Sequence, residues 1–172
     1  GGALGTKQVI GATDQHTLLM VTVAVAIQPA VQPDIGYDPV NELTPISVVS
    51  ESSIGFMVRP NAAFRDLPGL VAAAKAAPGR ITYGSSGIGT SLHLCAELLA
   101  TETGIRAVHA PYQNPSQAIA DLIAGRLDFM FDFPITAMPH VREGRLRALA
   151  VTDTQRVPLA PTVPTTAEAG FP

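Results

Sequence analysis

Tryptophan is absent from the 172 residues, and cysteine occurs once, at Cys95. Without tryptophan, and with no cluster joining aromatic to basic side chains, the chain has no platform on which nucleic-acid bases could stack. Basic residues are scarce too. Eleven Lys and Arg stand against 14 Asp and Glu, a net charge of −3, where a nucleic-acid binder needs a basic face. One thiol forbids an internal disulfide and a cysteine-based metal cluster. Cys95 falls within a helical apolar pattern and reads as a small buried hydrophobe. The four histidines, His16, His93, His109 and His140, share none of the spacings that place two imidazoles on one helix face for a metal, so no metal or cofactor is expected. No pair of carboxylates is placed for acid–base work, and no nucleophile lies beside a base in a recognisable motif. No hydrophobic run reaches the length of a membrane span. The longest, "TLLMVTVAVAI" (residues 17–27), suits a buried strand and the loop after it. A secretory signal is also lacking, and the opening "GGALGT" has no initiator Met, so the chain reads as a fragment or a processed product.

What is present is a globular composition, 47% hydrophobic and 15% charged, in a chain long enough to bury a core in one or two domains. Strand-like runs alternate with helical patterns. Strands are expected over residues 16–23, 45–50, 54–60, 81–83, 106–112, 127–133 and 145–153. Helices are expected over 67–79, about 90–103 and 115–125, with a short one in "ITAMPHVREG". Pro78-Gly79, Gly104 and Gly125 supply stops. Alternation of this kind specifies an α/β fold with mostly parallel sheets.

Ligands of open α/β sheets sit beyond the carboxyl ends of the strands. Here those ends are neutral and rich in donors: Thr22 after the first strand, "GSSGIGTS" after Tyr83, "HAPYQN" after Val108, and Asp132 after Phe131. The arginines Arg80, Arg106, Arg126, Arg145 and Arg147 stand at or just before strand starts, at the opposite edge. Ser85, Ser86, Gly87, Gly89, Thr90 and Ser91 could cradle a carboxylate on backbone N–H groups and hydroxyls at a helix N-terminus. The same residues also cap a helix and make a turn, and spacing does not choose between the two. The third glycine of a dinucleotide fingerprint and the lysine of a P-loop are both missing. His109, at a strand end, is a candidate to line the site, whereas His93 reads as packing or surface. Asp132 reads as an acceptor for loop N–H groups or for a ligand donor, and Asp121 and Asp128 read as solvated.

Five stretches together, "YDPVNELTPISVV", "ITYGSSGIGTSLHLCAELL", "VHAPYQ", "ADLIAGRLDFMFDF" and "GRLRALAVTDTQRVPLAPTVPTTAEAGFP", resemble the Bug/TctC family, the extracytoplasmic solute receptors of tripartite tricarboxylate transporters. The resemblance covers essentially the whole chain, in order. It implies a two-lobed periplasmic binding protein of the type II kind, with a two-strand hinge made by "IGFMVRP" and "RALAVTD". Lobe 1 would comprise residues 1–59 and 148–172, and lobe 2 residues 60–147. Family members carry a signal and one more strand before this start and continue past "AEAGFP", so the resemblance implies a chain trimmed at both ends.

By motif, the ligand-binding positions are Gly2 and Ala3, then Thr22, then Ser85, Ser86, Gly87, Gly89 and Thr90, then Tyr112, Gln113 and Asp132. The implied protein is no enzyme. It is periplasmic and monomeric, and it delivers a small organic carboxylate to a membrane permease. A receptor feeding a two-component sensor, or a truncated relative that no longer binds, would share the pattern. Two departures bear on the ligand. Gln113-Asn114-Pro115 replaces a Lys-Gly-Gly run, and "VAVAIQ" replaces a Ser/Thr-rich stretch after Thr22. Both suit a mono- or dicarboxylate with an apolar body better than a tricarboxylate.

Overall fold

The computed structural model describes residues 2–14 and 16–171; the expected lobe limits at residues 1 and 172 fall outside them. The chain forms two compact units. One comprises residues 2–50 with Gly89–Ser91, and the other Glu51–Ile88 with residues 92–171. Residues 51–59 and 148–171, which the sequence reading gives to lobe 1, thus lie in the second unit. The physical reason is a shared sheet, described below.

The first unit holds two helices, α1 (Ala3–Ile10) and α2 (Ala24–Val31). Tyr37 ties the second in place. Its buried phenol donates to the Val25 carbonyl and the Gln28 side-chain oxygen, both at 3.2 Å. The apolar runs at 16–23 and 45–50, expected as strands, are not strands. A strand needs a partner to take its backbone hydrogen bonds, and neither run is paired among the described residues. Their apolar side chains are left open: Leu18, Met20, Ile46 and Val48 are all more than 70% exposed. Residues 3–10, which open within "GGALGT", are helical.

The second unit is built on one five-stranded sheet in the order β3-β2-β4-β1-β5. The strands are β1 (Gly55–Val58), β2 (Thr82–Ser85), β3 (Val108–Pro111), β4 (Phe129–Asp132) and β5 (Arg147–Val151). β2 pairs in parallel with β3 and β4, and β1 pairs antiparallel with both β4 and β5. Four strands therefore share a direction and β1 alone opposes them. The expected hinge strands are β1 and β5, hydrogen-bonded side by side with Phe56 opposite Ala150 and an irregularity between Phe56 and Met57.

Both faces of the sheet are covered, so its central strands are apolar without a break. Phe56, Val58, Phe129 and Phe131 point to one face, against α3 (Leu67–Ala76) and α4 (Ser91–Thr103). Met57 and Met130 point to the other, against α5 (Pro115–Ile123) and α6 (Pro134–Arg142). This is the two-residue period of a strand written directly in "GFMV" and "FMFD". Helix starts are equally legible. Asp66 caps α3 by accepting the Gly69 N–H at 2.7 Å, with proline in the first turn. Asn114 caps α5 through the Ser116 N–H at 3.0 Å. We expect Asp66→Ala to cost about 1 kcal/mol in urea unfolding, with an unchanged m-value. A loss under a few tenths would remove the cap from the account.

The close of the chain locks onto the same sheet. Thr165 bridges Val151, and Thr165 and Glu168 exchange a reciprocal pair of bonds at 2.8 and 3.1 Å. That is a capping box, and Arg156 binds the Glu168 carboxylate from outside.

Candidate functional site: the carboxyl edge of the parallel strands

β2, β3 and β4 end at Ser85, Pro111 and Asp132. The arginines flanking the strands are at the other edge, apart from Arg156, which follows β5 and is paired with Glu168. Arg80, Arg106, Arg126 and Arg145 precede strands by a few residues, Arg147 opens β5, and Arg59 follows β1, which runs the opposite way. Parallel strands put all their carboxyl ends on one side, so the segregation follows from topology.

Between β2 and α4 the chain makes the loop 86–90. Gly87 at φ +118° and Gly89 at φ +75° hold backbone conformations that L side chains rarely adopt. A side chain on Gly87 would meet open space, so conformation and not crowding demands glycine there. Ser85 is wholly buried beneath this loop. Its hydroxyl lies 2.7 Å from His109 Nε2 and accepts the Gly87 N–H at 3.1 Å. Ser86 and Gly87 are half-buried, and Ile88 beside them is 62% exposed.

His109 enters through the strand register. It pairs with Tyr83 across β2 and β3, and the two rings stack at 4.7 Å. Burial, followed by the neighbouring His93, lowers the basicity of His109. Tyr83 donates to Glu97 on α4; burial and that carboxylate push its phenol well above the usual range.

Asp132 is buried at the end of β4 and works on the chain itself. One oxygen accepts the Phe133 N–H and the other the Thr136 hydroxyl, both at 2.8 Å, which fixes the start of α6. Burial raises its pKa against the lowering effect of those bonds. A carboxyl whose folded pKa is raised holds its proton more tightly folded than unfolded, so stability falls as pH rises from about 4 through the folded value. We expect Asp132→Asn to melt progressively higher relative to the native protein as pH is raised through that window. Parallel melting curves would contradict this.

The remaining expected positions are placed as follows. Tyr112 turns its hydroxyl to Asp121 on α5 at 2.8 Å, and Gln113 next to it is exposed. Thr90 precedes α4, and Gly89 backs onto Val31 within the first unit. Gly2 and Thr22 come together there. They line a cavity of about 270 Å³ with Thr6, Met20, Val25 and Gln28. Ala3, the first residue of α1, is not among its lining residues.

Sequence reasoning passed over Thr6 and Gln28, both buried polar groups at that cavity. It also took Asp121 and Asp128 as solvated, and the structure corrects both. Asp121 accepts from Tyr112 and Arg126, and Asp128 accepts the Thr82 N–H and hydroxyl at 2.8 and 3.0 Å. Thr82 lies 46 residues from Asp128, beyond the reach of a local pattern. Ile135, at the start of α6, is 76% exposed and was equally unforeseen, although a short helix was expected there.

A family description, "Tripartite tricarboxylate transporter family receptor", matches residues 1–172. The chain belongs to this receptor family. Among curated relatives, a protein of Pseudomonas sp. strain P51 from the tcbD–tcbE intergenic region is 35% identical over 174 residues, covering 100% of this chain and 52% of the relative. The chain spans about half the length of the curated relatives it matches. Solved structures match its fold. Rhodopseudomonas palustris Rpa4515, solved with adipate, superposes with a TM-score of 0.91 at 29% identity over 99% of this chain and 58% of that one. MatC of the same organism, with bound malate, gives 0.89 at 26% over 99% and 59%. The periplasmic binding protein BugD gives 0.88 at 28% over 99% and 57%. One of these neighbours is thus described as a periplasmic binding protein, and two were solved with dicarboxylates. Among the described residues of this receptor chain, no helix is long and apolar enough to cross a membrane.

Proposed function

We propose that the chain is the ligand-binding part of a periplasmic receptor that captures a small organic carboxylate between two lobes and presents it to a membrane permease. The observation that carries this reading is the carboxyl edge itself. It offers a glycine loop with backbone N–H groups and no cation of its own, while Arg59, Arg80, Arg106, Arg126, Arg145 and Arg147 stand at the opposite edge. Carboxylates held by fixed dipoles and hydroxyls need no opposing charge. The neighbours solved with malate and adipate support the same ligand class.

Gly2, Ala3 and Thr22 would serve from one lobe. The loop 85–90, Tyr112, Gln113 and Asp132 would serve from the other. Closing would be a population shift, driven by contacts made only in the closed form. Covalent chemistry has no support at Ser85, whose hydroxyl is set against an imidazole, because that side chain is 0% exposed.

Exposed Ile88 and Ile135, next to β2 and β4, favour a ligand with an apolar body. Thermal shift against dicarboxylates of increasing methylene count tests this directly. We expect the melting temperature to rise with chain length from malonate to adipate, and citrate to give the smaller shift. A larger shift with citrate would reverse the assignment.

A further inference from the structure

One column of stacked rings runs through the second unit to the glycine loop. Phe56 stacks on Phe129 at 4.8 Å, Phe129 on Tyr83 at 5.4 Å and Tyr83 on His109 at 4.7 Å, and His93 lies against His109 at 4.4 Å. The first three rings are buried core. The imidazole of His109 carries the column's order outward, because its Nε2 is 2.7 Å from Ser85 Oγ and Ser85 Oγ in turn accepts the Gly87 N–H. Ser85 is closed off from solvent, so its hydroxyl acts on the loop. Gly87 holds its left-handed conformation two residues beyond Ser85, at the point where the loop has open space around it.

We propose that His109 is a positioning residue of the ligand loop: through Ser85 it fixes the Gly87 amide, and with it the set of N–H groups the loop turns outward. The groups facing the imidazole are Tyr83 and Ser85 from β2, and His93 and Glu97 from α4. Tyr83 and Glu97 are engaged with each other. His109 meets the loop through its hydrogen bond to Ser85. Stacking alone would make His109 interchangeable with any flat ring. The bond to Ser85 makes it interchangeable only with a side chain that can reach the hydroxyl with a polar atom. The consequence for affinity rests on the carboxylate reading, whereas the consequence for the loop does not.

The experiment is amide hydrogen exchange at Gly87 in the ligand-free protein, followed by calorimetric titration with adipate. His109→Phe keeps the stack and removes the bond. We expect it to speed Gly87 exchange about tenfold and weaken adipate about tenfold. His109→Gln should recover most of both, which loss of packing could not explain. Ser85→Ala should match His109→Phe, and the double variant should lose no more than either one, since the two act through one link. Unchanged Gly87 exchange in folded His109→Phe overturns the proposal. If that variant fails to fold, unchanged exchange in Ser85→Ala overturns it equally, because Ser85→Ala leaves the stack alone. If the native protein binds neither adipate nor its homologues, the carboxylate reading fails, and exchange at Gly87 still decides the role of His109.

Discussion

Phe129→Ala should lower the stability of the protein by about 3–5 kcal/mol, the largest loss expected of any single substitution outside the loop. Phe129 is 1% exposed and sits at the centre of the sheet. Its ring stacks on Phe56 at 4.8 Å and on Tyr83 at 5.4 Å, and meets Phe131 edge-on at 6.3 Å. Truncation removes the buried surface of a large side chain and leaves a cavity. It also breaks aromatic pairs that add about 0.5–1.5 kcal/mol each beyond their area. The surrounding strands cannot collapse into the gap without breaking the ladders to β1 and β2 on either side. In a chain of this size the loss corresponds to a fall in melting temperature of about 6–20 °C. Leu159→Ala, at a side chain 40% exposed, is the control and should move it little. A loss at Phe129 no larger than at Leu159 would mean that the column of rings does not organise this unit.

Gly87→Ala should separate binding from folding. The added methyl group meets nothing within 4 Å, but the backbone sits at φ +118°. An L residue held in left-handed backbone costs about 1–2 kcal/mol. Gly87 has open space around it, so the loop can relieve that strain by shifting, with the core undisturbed. The displaced N–H groups would then meet the carboxylate out of line. We expect carboxylate affinity to fall about tenfold or more while the melting temperature stays within a few degrees. Equal loss of both would show that the loop is part of the folding core and not a surface element held over it.

The strands and helices of the sheet unit were legible because their signals are local. "GFMV" and "FMFD" alternate between two faces, Asp66 and Asn114 stand where caps belong, and Gly104 and Gly125 end helices at positive φ. The resemblance to the receptor family was legible for a different reason: five motifs in order carry more information than any one loop.

The apolar run at 16–23 misled, because a short apolar run does not say by itself whether it will be strand, helix or coil. Whether it pairs depends on a partner strand, and pairing is not written in the run. α1 was hidden by the glycines of "GGALGT". The candidate site was legible as a set of positions, and its internal wiring was not. Ser85 meets His109 across 24 residues and Asp128 meets Thr82 across 46. Parallel register creates both contacts. Nearer in sequence, Tyr112 bonds Asp121, and Asp132 holds the start of α6 with both oxygens.

The most direct test of the central claim is a pair of calorimetric titrations, adipate against its neutral diamide. The two share a methylene body and differ in charge. A loop of N–H donors set at a helix N-terminus should bind the dicarboxylate and bind the diamide at least about tenfold more weakly, because its donors are matched to an anion. Equal binding of both, or heat from the diamide alone, would contradict a carboxylate receptor and leave an apolar cleft in its place.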